Sequence, residues 1–337
     1  MDQVVADHEL EYQPLNAMAR EFGYDREAIT FLGLSRLRGI GFQTLIALDG
    51  RQGISRLIHE RNVAEIVGRA RRPIDVVETV PGWEAFSHKI WTLGQEMADK
   101  LSEQRIHFLF ATDPHFPSSL AGLPKDLRPK WLFVAGDLSL LDRPSLAIVG
   151  TRGPTKVGEF LAQYAVSVAK EMDAPVVSGL AEGIDRIVHE WCLKISLPTI
   201  SVLGTGILAP YPAKHSTLSK AIVDAGGVVM SEYLPMQGPS ARQFVWRNRL
   251  QAALGQATIA VEWKKKSGTA HTVKFSRRLG RLVVGLSLDG APRDADAGEP
   301  DVQFVAPAEH SGLIDALRKS LMMRGLVQDG GQADLFG

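Results

Sequence analysis

The chain of 337 residues contains a single cysteine, Cys192. One thiol cannot close an internal disulfide or supply a cysteine-rich metal site, so Cys192 is expected as a small core residue. Net charge is also missing: 38 Lys and Arg balance 38 Asp and Glu. A zero balance gives no global steering field, so any contact with nucleic acid must come from a local patch. No apolar run approaches the roughly 18 residues of a membrane span. The polar, acidic segment 1–15 lacks the basic-then-apolar order of a secretory signal. A cytoplasmic location with no membrane partner is therefore expected. Two nucleotide fingerprints are absent as well, the Gly-x-Gly-x-x-Gly motif and the Walker loop with its lysine. Their absence disfavours NAD and ATP, and no cofactor or metal is expected.

What is present fits two domains. The apolar share of 45% suffices for a sizeable core. Residues 1–27 read as a polar arm. Residues 28–105 carry helical periodicity, with two segments joined by Gly39-Ile40-Gly41 in the manner of a helix-hairpin-helix. From 106 the pattern changes. Apolar runs at 106–111, 131–134, 146–149, 175–177, 199–203, 228–230, 258–261 and 282–286 alternate with helical stretches such as 157–171, 218–225 and 272–279. Continuous apolar strands alternating with helices predict a doubly wound α/β sheet, mostly parallel. Residues 296–337 add an edge strand at 302–305, a helix at 312–323 and a polar tail.

Several of these strands end in glycine-bearing loops. The most informative is Ser178-Gly179-Leu180-Ala181-Glu182-Gly183-Ile184-Asp185, which stands between an apolar run and a helix. Glycines there permit a tight turn and close approach of a ligand, and the helix that follows aims unpaired N–H groups at the loop. Gly150-Thr151-Arg152, Gly204-Thr205-Gly206 and Ser267-Gly268-Thr269 occupy equivalent positions after other strands. In an open α/β sheet such loops share one edge, where ligands bind. The segment 242–281 holds ten Lys and Arg against Glu262 alone, with Phe244, Trp246, Trp263, His271 and Phe275 interleaved. Cations mixed with aromatics suit a single strand, whose bases are free to stack. Arg247-Asn248-Arg249 adds arginine forks that match phosphate oxygens.

Taken together, these segments resemble the DNA-processing protein A family (DprA, also called Smf). The match runs in order through Asp113-Pro114-His115-Phe116-Pro117, 131–137, 147–152, 178–185 with His189, 202–206, Tyr211-Pro212, Ser231-Glu232, Phe244 with 247–249, and 267–269. The resemblance implies an extended Rossmann-like domain over 106–295 and an N-terminal helical domain of helix-hairpin-helix or SAM-like type. It implies a non-catalytic, homodimeric binder of single-stranded DNA that loads RecA recombinase in natural transformation, DNA uptake and recombination. Carried over to this chain, DNA contacts fall on Gly150, Arg152, Ser178, Gly179, Ala181, Gly183, Gly204 and Gly206. They continue through Phe244, Arg247, Asn248, Arg249, Lys264, Ser267, Gly268, Thr269 and Lys274. The chain departs from the family pattern at Ala270-His271-Thr272-Val273 and at Gly285-Leu286-Ser287-Leu288. Fewer than fifty residues follow Gly290, so the winged helix that ends many members is not expected.

The tail carries Gln332-Ala333-Asp334-Leu335-Phe336, which is similar to the pentapeptide by which polymerases and repair proteins hold the DNA sliding clamp. Gln332 and Asp334 would set register, and Leu335 and Phe336 would fill an apolar pocket. Asp185 and His189 stand one helical turn apart but lack a nucleophile or metal partner in sequence, so no catalytic residues are expected. The alternative is a nucleotide-binding sensor or a phosphoribohydrolase-like enzyme, with Glu232 or Glu262 as its acid. A structural adaptor in phage defence is a third reading.

Overall fold

The computed structural model describes residues 17–62, 82–290 and 295–322. The clamp-like residues 332–336 lie outside them. The chain divides into two compact units, Met1–Thr112 and Asp113–Gly337. The division falls after Thr112, seven residues beyond the boundary expected after residue 105.

In the first unit the helices are α1 (Ala17–Glu21), α2 (Arg26–Ser35), α3 (Phe42–Ile46), α4 (Gly50–Glu60) and α5 (Trp83–Glu103), followed by strand β1 (Ile106–Phe110). The α2 start is set by Asp25, whose carboxylate accepts the Ala28 N–H at 2.9 Å and pairs with Arg51 at 2.5 Å. Phe31 and Phe108 pack with centroids 5.2 Å apart, and Tyr24 donates its hydroxyl to Ile106 O at 2.7 Å. Residues 17–27 are thus part of this packed unit rather than a loose arm. The Gly39-Ile40-Gly41 turn does join two helices, but the second is only the five-residue α3.

The second unit contains α6 (Ser118–Ala121), β2 (Trp131–Gly136), β3 (Ser145–Gly150), α7 (Lys156–Glu171), β4 (Val176–Ser178), α8 (Ile184–Lys194), β5 (Thr199–Val202), α9 (Ser216–Asp224) and β6 (Val228–Ser231). It continues with α10 (Ala241–Leu254), β7 (Gly255–Val261), α11 (Gly268–Arg278), β8 (Leu282–Leu288), β9 (Val302–Ala306) and α12 (His310–Met322). Its strands lie in the order β2-β6-β5-β4-β3-β7-β8-β9. All neighbours are parallel except β2 and β6. The chain winds outward from β3 through β4, β5 and β6, then returns to lay β7 on the other side of β3. The fold is therefore a mostly parallel, doubly wound, Rossmann-like α/β sheet in which the direction of strand addition reverses at the β3–β7 pair.

Both faces of the sheet are covered: β4, β5, β6 and β7 are buried at every position, and their few polar side chains, such as Ser178, Thr199 and Thr258, are hydrogen-bonded inside. Leu161 and Ala165 of α7, Val188 of α8 and Leu313 and Leu317 of α12 pack on Ile148, Ile259 and Val284. Cys192 sits in this core, where burial pushes its thiol up to about 12. Ala270 and Val273 of α11 pack with Trp263 on Ala260 and Val283. No helix among the described residues is long and apolar enough to cross a membrane.

Candidate functional site

A groove of about 680 Å³ opens at the C-terminal ends of β3 and β7, at the reversal point of the sheet. One wall is Gly150, Thr151 and Arg152, which follow β3. The other is Ser267, Gly268 and Thr269, which follow β7 and begin α11. Thr269 bridges the two, its hydroxyl donating to Gly150 O at 2.8 Å. Ala181 enters from the loop after β4 and Asp185 from the first turn of α8, while Ser240, Ala241, Phe244, Arg247, Asn248 and Gln251 belong to α10 and its cap. Three helices therefore begin at the groove: α8, α10 and α11. Each points the positive end of its dipole there, which favours anions, while Ser240 and Ser267 cap the Gln243 and Ala270 N–H groups and the Ile184 N–H donates to Thr151 O.

The loop after β4 is held from beneath. Gly183 has φ +81°, which permits the reversal into α8. Leu180 also lies in the left-handed region, at φ +58°, and is anchored by burial against Leu203, Ile222 and Val229. Arg247 is 3% exposed and donates through Nη1 to Gly179 O at 2.8 Å and also to Val202 O. A Cβ on Gly179 would collide with that guanidinium, so the glycine is needed for the close approach. Burial pulls the Arg247 pKa down, but an arginine retains its charge. Arg247 thus ties the loop to α10 and adds positive potential to the groove floor.

Two buried acids modify this field. Burial raises the Asp185 carboxyl above its ordinary range, against the opposing pull of Arg247. His189, one turn along α8, is fully buried. Thr199 gives its hydroxyl proton to Val176 O at 2.8 Å, so His189 Nδ1 donates to Thr199 Oγ1 at 2.9 Å. Burial, then the nearby positive Arg247, lowers the His189 pKa to about 3. The imidazole is therefore neutral, and it faces Thr199 rather than serving Asp185 as a proton partner. The second buried acid, Glu232, makes a two-pronged pair with Arg249, both bonds 2.6 Å. Glu262 accepts the Thr155 N–H at 2.8 Å and its hydroxyl at 2.6 Å, fixing the start of α7.

Of the residues singled out from sequence, Gly150, Arg152, Ala181, Phe244, Arg247, Asn248, Ser267, Gly268 and Thr269 line the groove together. Several others face inward instead. Ser178 is fully buried and donates to Ile148 O at 2.7 Å, so its hydroxyl is committed between strands. Gly179 and Gly183 shape the loop from behind the lining. Gly204 lies under the Phe244 ring, and Gly206 donates its N–H to Gln237 O at 2.8 Å. Arg249 requires a clear correction. It is 1% exposed, spans Glu232 and Leu127 O, and stacks 4.3 Å from the Trp246 ring, so it cannot be part of an open phosphate track. The cationic run around it is a helix, and helical spacing turns its first and third residues to different surroundings. Lys264 and Lys274 are exposed but lie outside the groove lining.

The groove also contains residues that the sequence reading did not select. Tyr211 is 47% exposed, and its ring centroid is 5.6 Å from that of Phe244. Arg152 lies over the opposite partner of this pair, 5.6 Å from the Phe244 centroid. Gln251 is 1% exposed and lines the floor. Tyr211 was visible as part of a Tyr-Pro step after the Gly204-Thr205-Gly206 loop; Gln251 left no sequence signal.

Comparison with known proteins agrees with this architecture. The family described as DNA recombination-mediator protein A matches residues 107–298. A protein of Mycobacterium tuberculosis named as a DNA processing protein DprA is 41% identical over 140 residues, covering 42% of this chain and 36% of that one. The Smf protein of Synechocystis sp. is 31% identical over 273 residues, covering 77% of this chain and 64% of the relative. The chain therefore spans between about a third and two thirds of these relatives' lengths. The solved DNA processing protein A of Streptococcus pneumoniae superposes with a TM-score of 0.58 at 24% identity, covering 88% of this chain and 91% of that one, and so shares the fold. The matched region is more than half of the chain and contains every groove residue, and the chain belongs to the DNA recombination-mediator protein A family.

Proposed function

We propose that the chain binds single-stranded DNA in the groove between β3 and β7 and acts without catalysis in DNA processing and recombination. The observation that carries this reading is the joining of two kinds of recognition in one place. Three helix N-termini and Arg152 suit phosphate, and the Tyr211–Phe244 pair offers ring faces for unstacked bases. A duplex would hide those faces. The commitment of Glu232 to Arg249 and of Glu262 to Thr155 favours binding over glycosidic hydrolysis, because both candidate acids already serve the fold.

The family supports a homodimer that hands its strand to RecA recombinase in natural transformation. The Gln332 to Phe336 pentapeptide supports tethering to the sliding clamp. The groove itself is tested by fluorescence anisotropy with oligo-dT across a salt series. Wild type should bind with a steep salt dependence. Arg152→Ala should weaken binding about tenfold and reduce the salt slope by about one. Phe244→Ala should weaken binding with the slope retained. Undiminished affinity in both variants would overturn the assignment, as would release of free base from nucleoside monophosphates at a robust rate.

A further inference from the structure

We propose that a bound strand leaves the groove over the seam between α10 and α11, where Trp246 provides a second stacking platform. This inference rests on the reading of the groove as a site for single-stranded DNA. Helix α10 begins at the groove and carries Arg242 and Trp246 one turn apart. The Asn248 amide donates to Gly268 O at 3.1 Å, which joins the start of α11 to α10 beside the groove. Further along the seam, Trp246 meets Phe275 edge-on, with centroids 6.5 Å apart. The indole is also backed by the Arg249 guanidinium, 4.3 Å from its ring and fixed in place by Glu232. One side of the indole is thus covered by a buried cation held in a two-pronged ion pair, and Trp246 is only half-buried. A base laid on the outer face would complete a base–indole–guanidinium stack.

Two exposed cations mark this flank. Around α8 and the start of α7, three cations are matched by carboxylates. Lys156 pairs with Glu159 at 2.8 Å, Arg186 with Glu190 at 2.8 Å, and Lys214 with Glu182 at 2.6 Å. On α10 and α11, Arg249, Arg277 and Arg278 pair with Glu232, Asp301 and Asp126, whereas Arg242 and Lys274 are exposed and pair with no carboxylate among the described residues. Phosphates passing Arg242 and Lys274 meet cations whose charge is not already neutralised, which favours their passage there. Lys274 therefore has a place on the strand's path outside the groove.

Anisotropy with oligo-dT of two lengths, about four and about fifteen nucleotides, separates the groove from the seam. Trp246→Ala should leave the short oligonucleotide unaffected and weaken the long one about tenfold. Trp246→Leu, which keeps apolar bulk against Phe275, should behave the same way, and Trp246→Phe should recover most of the loss. Lys274→Glu should lower long-oligonucleotide affinity and its salt slope. Unchanged long-oligonucleotide binding in Trp246→Leu, or equal losses at both lengths, overturns the inference. Failure of the wild type to bind the short oligonucleotide, or its indifference to Arg152→Ala, overturns the groove reading instead.

Discussion

Replacement of Arg249 by alanine tests whether the centre of the cationic run serves the fold or the ligand. In the native protein Arg249 is 1% exposed and Glu232 2% exposed. Removal of the guanidinium deletes both bonds to Glu232, the bond to Leu127 O and the stack on Trp246. It leaves the Glu232 carboxylate buried without a cation. Breaking a buried pair in this way costs about 3–5 kcal/mol, because the remaining charge has neither water nor partner. By comparison, Arg143 pairs with Asp173 at 2.8 Å with side chains 40% and 78% exposed, and Arg143→Ala should cost at most about 1 kcal/mol. Urea unfolding followed by far-ultraviolet circular dichroism compares the two. The double variant Glu232→Leu, Arg249→Met should recover much of the lost stability, since an apolar pair needs no counter-charge. Folded Arg249→Ala should still bind the short oligonucleotide in an Arg152-dependent way. A loss below about 1 kcal/mol for Arg249→Ala, equal to that of the exposed pair, would refute the assignment of Arg249 to the core.

Other consequences follow from the loop, the buried histidine and the tail. Gly179→Ala puts a Cβ into the Arg247 guanidinium. It should destabilise the protein by about 1–3 kcal/mol and weaken oligo-dT binding, with unchanged thermal stability arguing against the contact. His189 has a folded pKa of about 3, below its unfolded value, so the unfolded state takes up the proton first. Its contribution to stability is complete above about pH 6.5 and falls by about 1.4 kcal/mol per unit as the pH drops towards 3. Between pH 6.5 and pH 5 the wild type should lose about 2 kcal/mol more than His189→Gln, and parallel urea curves for the two would contradict this. Deletion of residues 332–337 should abolish recovery of the sliding clamp in pull-downs while DNA affinity is retained; equal recovery would exclude the tail.

How much of this was legible in the chain differs by level. Composition and alternation alone determined the sheet class. Strands buried on both faces are predominantly apolar, and helices between parallel strands keep their own period, so both patterns survive in one dimension. The loops around Gly150, Ser178 and Ser267 were likewise marked by glycine and by their place between strand and helix. The order of motifs from Asp113 to Thr269 pointed to the family. The fate of individual polar side chains was not marked. Arg247 and Arg249 are two residues apart and chemically identical, yet one ties the glycine loop to α10 and the other neutralises Glu232. That division depends on which face of α10 each occupies and on what β5, β6 and the Leu127 segment place opposite. Helix α10 itself was obscured because Arg247, Asn248, Arg249 and Gln251 fill buried positions that apolar residues would ordinarily mark. Tertiary structure also decided the aromatic pair, since Tyr211 and Phe244 are distant in the chain and meet only where the fold sets α10 beside the segment that follows β5. Local chemistry and periodicity are written along the chain; the choice between solvent, counter-ion and ligand for a given charge is made by neighbours that only folding supplies.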